Sequence, residues 1–306
     1  MDAYVVIATK GRPTEVLALI DSLSKQTKRA SEVLIVGSEQ GDISGLAGHT
    51  FAQSGICKAM IASSAGLTAQ RNAGVCRLTS QGAFDLSAAR SFCAFFDDDY
   101  RPAPDWLERA DERLSRGDVV GLTGKMLADG INIGGLREEQ AQAFLNGRSA
   151  PLPHWASGEA EWETGSVYGC NMAFTDIVIR QTRFDECLPL YGWQEDRDYT
   201  GLARRLGRVI YFPGCQGVHL GVTNGRTSGL RFGYSQIANP LYLMRKGTMD
   251  ARSGARFMGR ALAANLVRSI RKHPWVDYRG RLKGNLIALA DMLRWRSDPR
   301  HILDLR

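Results

Sequence analysis

The chain has 306 residues, 44% of them hydrophobic, which suffices for one large α/β domain or two modest ones with real cores and excludes disorder as the default. Its formal net charge is +7, but the excess is local: residues 245–306 carry 15 Lys and Arg against 5 Asp and Glu, and the rest is slightly acidic. No recognised nucleic-acid module accompanies that charge, so nucleic acid is not an expected partner. The opening MDAYVVIATKGRP lacks the basic flank and apolar stretch of a signal peptide, and no apolar run approaches the roughly 18 residues of a spanning helix. Six scattered cysteines without a C-x-x-C pair predict reduced thiols in a cytoplasmic protein and no zinc site.

The first half alternates β-branched apolar runs with helix-like runs, the pattern of a parallel sheet covered by helices. YVVIAT (4–9) predicts a strand, and Pro13 opens a helix with Val16, Leu17, Ile20 and Leu23 at helical spacing. EVLIVG (32–37) and AMIASS (59–64) read as the next strands, followed by a helix over 68–78. SFCAFFDDD (91–99) reads as a strand closed by three carboxylates, with Pro104, Trp106, Leu107, Ala110 and Leu114 marking the helix after it. DVVGLTGKML (118–127) completes the parallel set. Residues 130–165 show no clean period and predict loops or an excursion. VYGCNMAFT (167–175) resumes a strand pattern, WQEDRDYTGLARRLG (193–207) predicts a helix closed by Gly207, and RVIYF (208–212) a strand.

The basic tail predicts two amphipathic helices. In 256–272, Met258, Leu262, Leu266 and Ile270 share a face opposite Arg256, Arg260, Arg268, Arg271 and Lys272; further on, Leu282, Leu286, Leu289 and Leu293 form a stripe ending at Arg294, Trp295 and Arg296. The expected organisation is an α/β body over 1–244 and a helical extension over 245–306.

Three places carry chemistry. In an open parallel sheet ligands bind at the carboxyl ends of strands, so Asp97, Asp98 and Asp99 sit where a divalent cation shared with a phosphate-bearing substrate would relieve their mutual repulsion. Strand alternation would send Asp97 and Asp99 to one side and Asp98 to the other. A solvated acidic turn is an equal reading. Glu195 and Asp196 open a predicted helix, where the dipole favours a carboxylate able to take a proton from a hydroxyl; ordinary helix capping is the alternative. His219, in GCQGVHLG, is either a structural histidine or a further ligand for a cation held by carboxylates.

Together these features resemble family 2 of the inverting GT-A glycosyltransferases over most of residues 1–220. The matching pieces are VVIATKGRP, GLTAQRNAG with Arg71 and Asn72, the D-x-D of FFDDDYRPAPDWLE, GCNMAF followed by RFDE, GWQEDRDYTGLARRLGRVIYFPG, and Val218–His219. The resemblance implies a GT-A fold: a Rossmann-like, mixed and mostly parallel sheet with helices on both faces. It implies that Asp97, Asp99 and His219 hold Mg²⁺ or Mn²⁺ against the donor diphosphate, with Asp98 near the ribose. Thr9, Gly11, Arg12, Ser38, Glu39, Arg71 and Asn72 would line the nucleotide, Asp196 would be the general base and Glu195 its supporting neighbour. The family usually places an Asp-bearing turn after its second strand to bind the nucleobase; this chain reads VGSEQGD, with Gly37 and Ser38 at those positions. UDP is the first expectation for the donor, with GDP or dTDP open.

The implied reaction moves a sugar to a polysaccharide or lipid-linked saccharide acceptor. The tail then invites peripheral association with the inner face of a membrane, because Arg and Lys attract anionic headgroups while leucines enter the interface. Packing on the catalytic body, or on a second copy in a homodimer, is the competing use of the same stripes. Residues 221–233, rich in Gly, Ser and Thr, read as a loop that closes over the donor and brings Arg226 or Arg231 to a phosphate, or as a simple connection. Trp155, Trp162 and Trp193 are candidates for stacking on sugar rings. Two other classes compete: a sugar-nucleotide nucleotidyltransferase, for which TKGRPTEV is a poor phosphate loop, and a non-catalytic nucleotide-sugar-binding domain.

Overall fold

The computed structural model describes residues 1–85, 90–222, 228–271, 273 and 276–305, and the chain divides into two compact units. The first comprises Met1–Ala65, Ala69–Arg183 and Ala203–Gly225; the second comprises Gly66–Thr68, Phe184–Leu202 and Arg226–Arg306.

The first unit is built on one sheet. Its strands are β1 (Asp2–Thr9), β2 (Glu32–Gly37), β3 (Cys57–Ile61), β4 (Ser91–Asp97), β5 (Tyr100–Pro102), β6 (Gly121–Asp129), β7 (Trp162–Glu163), β8 (Asn171–Thr175) and β9 (Val209–His219). They lie in the order β3-β2-β1-β4-β8-β6-β9-β5, with β7 on β9. The first four are parallel, as the near-continuous apolar runs predict: Val5, Val6, Ile7, Val33, Ile35, Phe95 and Phe96 are fully buried, on both faces of the sheet. Helices α1 (Pro13–Ser24), α2 (Thr50–Gln53), α3 (Leu67–Ser80), α4 (Trp106–Leu114), α5 (Glu138–Leu145) and α6 (Asp176–Gln181) accompany them. Pro13 starts α1, which buries Val16, Leu19, Ile20 and Leu23 as one stripe.

Five expectations need correction. The strand expected over 91–99 stops at Asp97, because the chain turns at Asp98–Asp99 into β5. The strand over 118–127 is not a neighbour of β4: β8 lies between them, antiparallel to both, so the sheet is mixed where continuous parallel pairing was read. The strand expected over 208–212 continues to His219, through Pro213 and Gly214. Those residues read as terminators, but the register with β6 shifts just there, and a bulge tolerates a proline that a regular ladder would not. The unpatterned stretch 130–165 contains α5 and β7, and the segment read as a loop over 221–233 is already helical from Gly229.

In the second unit, α7 (Glu195–Ala203) begins the Glu-Asp helix, and α8 (Gly229–Lys246), α9 (Ala251–Ser269) and α10 (Tyr278–Leu293) follow. The leucine stripes are only partly buried, with Met258 and Leu289 packed on the helical core. Leu266, Ile270, Leu286 and Leu293 are 56–76% exposed, whereas Gly254 and Asn265 on α9 and Tyr278, Gly284, Asn285, Ala288 and Asp291 on α10 turn inward. Small residues explain this choice. A Cβ at Gly233 of α8 would lie 2.0 Å from the Arg281 carbonyl oxygen, and one at Gly284 would lie 2.1 Å from that of Leu230, so α8 and α10 meet backbone to backbone.

At that crossing three buried amides form a chain: Asn265 Nδ2 donates to Gln236 Oε1 (2.8 Å) and Asn285 Oδ1 (2.7 Å), and Asn285 Nδ2 donates to the Gly233 carbonyl (2.6 Å). Hydrophobic periodicity cannot see such a seam. Asn265→Ala removes the donor that two buried oxygens share and is expected to cost about 1–3 kcal/mol, read as a lower urea midpoint at unchanged slope.

Candidate metal and nucleotide site

Asp97, Asp99 and His219 converge in the first unit, with one ligand atom from each within 4.8 Å of the others. The sheet brings them together. Tyr100 of β5 pairs with His219 of β9, so the preceding Asp99 reaches His219 Nε2 at 3.2 Å, and the Asp99 carbonyl accepts from Leu220 N at 2.9 Å. Asp97, the last residue of β4, is held by Arg71 of α3, whose Nη2 donates to Asp97 Oδ1 (2.9 Å) and the Gly169 carbonyl (2.8 Å). Arg71 is fully buried. Its position is that of a support for Asp97, set under Phe95.

Asp98 points the other way. Its carboxylate accepts from Thr9 Oγ1 (2.8 Å) and Arg12 Nη1 (2.9 Å), and Arg12 Nη2 donates to the Val222 carbonyl (3.1 Å). Asp99 Oδ2 in turn accepts from Val222 N at 2.8 Å. The first turn, the acidic turn and the segment after His219 are thereby tied into one knot. Burial raises the Asp98 carboxyl, and Arg12 offsets this only in part. Burial also opposes ionisation of Asp99, but His219 and Arg12 overrule it and hold that carboxyl well below the usual range.

A fourth acid belongs to the cluster. Asp129, the last residue of β6, lies opposite His219 in the sheet, and its Oδ1 is 3.0 Å from His219 Nδ1. Tyr168 donates its hydroxyl to Asp129 Oδ2 (2.7 Å), and Ile131 N donates to Oδ1 (2.9 Å). Burial lowers the basicity of His219, yet Asp99 and Asp129 on its two nitrogens raise it well above the ordinary value. Asp129 fixes the imidazole so that Nε2 faces Asp99, the arrangement of a histidine that serves as a metal ligand. Two carboxylates and an imidazole form a donor set suited to Mg²⁺ or Mn²⁺. The sequence signal for Asp129 was the same as for Asp97, a carboxylate closing an apolar strand.

The turns after β1 and β2 hold another buried acid. Asp42, in the VGSEQGD turn, is fully buried. It accepts from Gly11 N (2.5 Å), Ser38 N (2.7 Å), Ser38 Oγ (2.8 Å) and Glu39 N (3.0 Å). Burial opposes its charge, but these donors outweigh it and lower its pKa. Gly11, at φ +68°, supplies the left-handed turn that presents its N–H. The aspartate of this turn thus staples the post-β2 turn to the post-β1 turn. Gln70 of α3 adds a second staple, donating to the Thr9 and Val36 carbonyls at 2.7 Å each. Asn72 is buried on the same helix, and Glu39 is exposed.

Residues 4–160, just over half the chain, match the glycosyl transferase family 2 profile. The chain belongs to glycosyl transferase family 2. No curated protein matches it by sequence. Solved structures share its GT-A fold at low identity. The 1–349 fragment of S. aureus TarS with UDP-GlcNAc is 16% identical, with a TM-score of 0.58 over 100% of this chain and 84% of that one. GalNAc-T7 with UDP, GalNAc and Mn²⁺ is 11% identical, with a TM-score of 0.58 over 99% of this chain and 57% of that one. A mannosyltransferase from Pyrobaculum calidifontis with GDP-Man and Mn²⁺ is 16% identical, with a TM-score of 0.55 over 97% and 88%. The chain spans 44% of the longer S. aureus TarS chain. The chain carries a glycosyl transferase family 2 domain, and the Asp97–Asp99–His219 cluster is its candidate metal centre.

Glu195 and Asp196 belong to the second unit, at the start of α7. Glu195 is buried, while Asp196 is partly exposed and its Oδ1 accepts from Arg197 N at 2.7 Å. The approach to this pair is strained: Leu190 (φ +59°), Gly192 (φ +59°) and Gln194 (φ +71°) all adopt left-handed backbone. Two non-glycine residues so held cost about 1–3 kcal/mol each, and such costs concentrate where a side chain must be aimed. The segment is kept in place by Leu67 N donating to the Leu190 carbonyl (2.9 Å) and Thr68 Oγ1 to that of Leu188 (3.2 Å). Trp193 lies edge-on to Phe232, and Trp162 stacks flat on Tyr211 at 3.8 Å. Arg231 is on α8, its Nε bonded to the Leu305 carbonyl (3.0 Å), and Arg226 lies outside the described residues.

Asp129→Ala should leave the sheet intact but weaken Mn²⁺ binding about tenfold or more, because His219 loses its orienting partner. Mn²⁺ electron paramagnetic resonance titration of the nucleotide-loaded protein measures it.

Proposed function

We propose that the chain transfers a sugar with inversion from a nucleotide-sugar donor to a hydroxyl of a polysaccharide or lipid-linked saccharide acceptor. The observation that carries this reading is the Asp97–Asp99–His219 cluster, half-buried at Asp97 and buried at Asp99 and His219, tied through Arg12 and Asp98 to the turn after β1. Those three residues would hold Mg²⁺ or Mn²⁺; both GalNAc-T7 and the P. calidifontis mannosyltransferase were solved with Mn²⁺. When bound, the cation supplies charge neutralisation for the departing nucleoside diphosphate. Thr9, Gly11, Arg12, Ser38, Glu39, Arg71 and Asn72 are assigned to the nucleotide side, with Arg71 acting through Asp97. UDP is the leading nucleotide, as in the TarS and GalNAc-T7 structures, and base recognition falls to groups other than Asp42 and the Ser38 and Glu39 amides that it binds, the exposed Glu39 side chain among them.

Asp196 is assigned as the base that removes the acceptor proton, with Glu195 beside it. A carboxylate in the first turn of α7 is kept ionised by the helix dipole, and the strained segment before it limits where it can point. Family membership disfavours the nucleotidyltransferase, and the presence of Asp97, Asp99, His219, Glu195 and Asp196 together favours catalysis over a non-catalytic binding domain. Asp196→Asn is expected to lower turnover about 10³-fold or more while donor affinity stays within a factor of two or so. Unchanged turnover would remove Asp196 from the mechanism.

Residues 245–306 are assigned to the surface of an anionic membrane, around a catalytic body over 1–244. Among the described residues no helix is long and apolar enough to cross a membrane. Leu266, Val267, Ile270, Leu286, Leu293 and Trp295 are exposed, interspersed with exposed Arg256, Arg260, Arg271, Arg294 and Arg296. That mixture suits a headgroup layer better than a folded partner with a neutral face. The protein should cosediment with phosphatidylglycerol vesicles and not with phosphatidylcholine vesicles, and the double variant Leu293→Glu, Trp295→Glu should stay in the supernatant.

A further inference from the structure

We propose that Trp155, with His154 and Tyr168, forms a platform for a pyranose ring beside the Asp97–Asp99–His219 cluster. This rests on the transferase reading above and names a saccharide contact for it. Trp155 is 48% exposed, and its ring neighbours meet it obliquely: His154 at 5.6 Å and 41°, Tyr168 at 6.0 Å and 71°. Neither is a parallel stack. By contrast, Trp162 already has a face covered by Tyr211.

An exposed indole is unremarked on a mobile loop, but this one is fixed from both sides. Leu152 N donates to the Leu127 carbonyl (2.8 Å), and Met126 N donates to the Ala156 carbonyl (2.7 Å), so the segment is bonded to β6 before and after Trp155. Ala156 is fully buried. Inside the turn, Ala156 N donates to His154 Nδ1 (3.1 Å), and Ser157 Oγ donates to the His154 carbonyl (2.7 Å) while accepting from His154 N (3.2 Å). Pro151 and Pro153 remove further freedom. Holding a large apolar ring rigidly in water gains nothing for the core; it preorganises a surface for a ligand with an apolar face.

The wall leads to the cluster. Tyr168 stands edge-on to His219 (5.9 Å, 89°) while its hydroxyl binds Asp129, and His154 Nε2 lies 3.6 Å from Asp129 Oδ2. Burial lowers the pKa of His154, and with Nδ1 accepting from Ala156 N the neutral ring carries its one N–H on Nε2, a donor for a hydroxyl. A pyranose offers the complement, C–H groups on one face and hydroxyls at its edge. It could belong to the acceptor or to the donor's own sugar.

Saturation-transfer NMR on the full chain, with methyl α-D-mannopyranoside, methyl β-D-glucopyranoside and methyl N-acetyl-β-D-glucosaminide as probes, tests the platform. At least one probe should bind the wild type, about tenfold more weakly to Trp155→Ala, with partial recovery in Trp155→Phe. The melting temperature should not move, since the side chain is half exposed. Binding that survives saturating UDP-GlcNAc and Mg²⁺ assigns the platform to the acceptor; displacement by UDP-GlcNAc but not by UDP assigns it to the donor sugar. Equal binding to wild type and Trp155→Ala, or no probe binding to the wild type, overturns the proposal. Nucleotide affinity measured in the same samples separates the two ideas: normal binding of UDP, GDP or dTDP with no pyranoside effect removes the platform alone, whereas failure to bind any of the three with Mg²⁺ removes the transferase reading.

Discussion

His219 is held between two carboxylates, and much of the first unit is arranged around that contact. Asp99 approaches Nε2 and Asp129 approaches Nδ1, at 3.2 and 3.0 Å. Both contacts are consequences of strand pairing: β5 and β6 flank β9 and bring their acidic residues to its last position. Bulges between β6 and β9 set the register that makes this possible. The two carboxylates raise the basicity of the imidazole, so Nε2 would have to lose its proton to serve as a ligand, and affinity for a divalent cation would fall as pH is lowered.

Three adjacent aspartates are costly to bury, and the protein distributes them. Asp97 leans on Arg71, Asp98 on Arg12 and Thr9, and Asp99 on His219 and the Val222 amide. Each carboxylate therefore has a different job. Asp98 and Arg12 form an internal brace between the first turn and the segment after β9, and Asp42 braces the first turn against the second. These turns are preformed by charged side chains that are themselves mostly buried, which would limit reorganisation on binding a diphosphate.

The second unit shows a different economy. Its helices meet through Gly233 and Gly284 and a chain of amides, leaving leucines in water. Buried polar seams specify one packing better than interchangeable aliphatic contacts do, because every unsatisfied partner in a wrong register is penalised. The exposed apolar side chains are then available to a lipid surface without weakening the helical core.

The sequence by itself determined the α/β class, the positions of β1, β2 and α1, and the acidic close of β4, because these rest on local apolar period, β-branched runs and a Pro at a helix start. It also singled out Asp97, Asp99 and His219, through spacing and order. Asp129 and Asp42 were equally local in signal but acquire meaning only through pairing: one lies opposite His219 across β6 and β9, the other closes a gap of 31 residues to Gly11. The insertion of β8 beside β4, the continuation of β9 through Pro213, and the inward turn of Asn265 in place of Leu266 were decided by tertiary structure alone. Strand neighbours, bulge registers and close glycine contacts depend on residues far apart in the chain, and no window of sequence contains both sides of them.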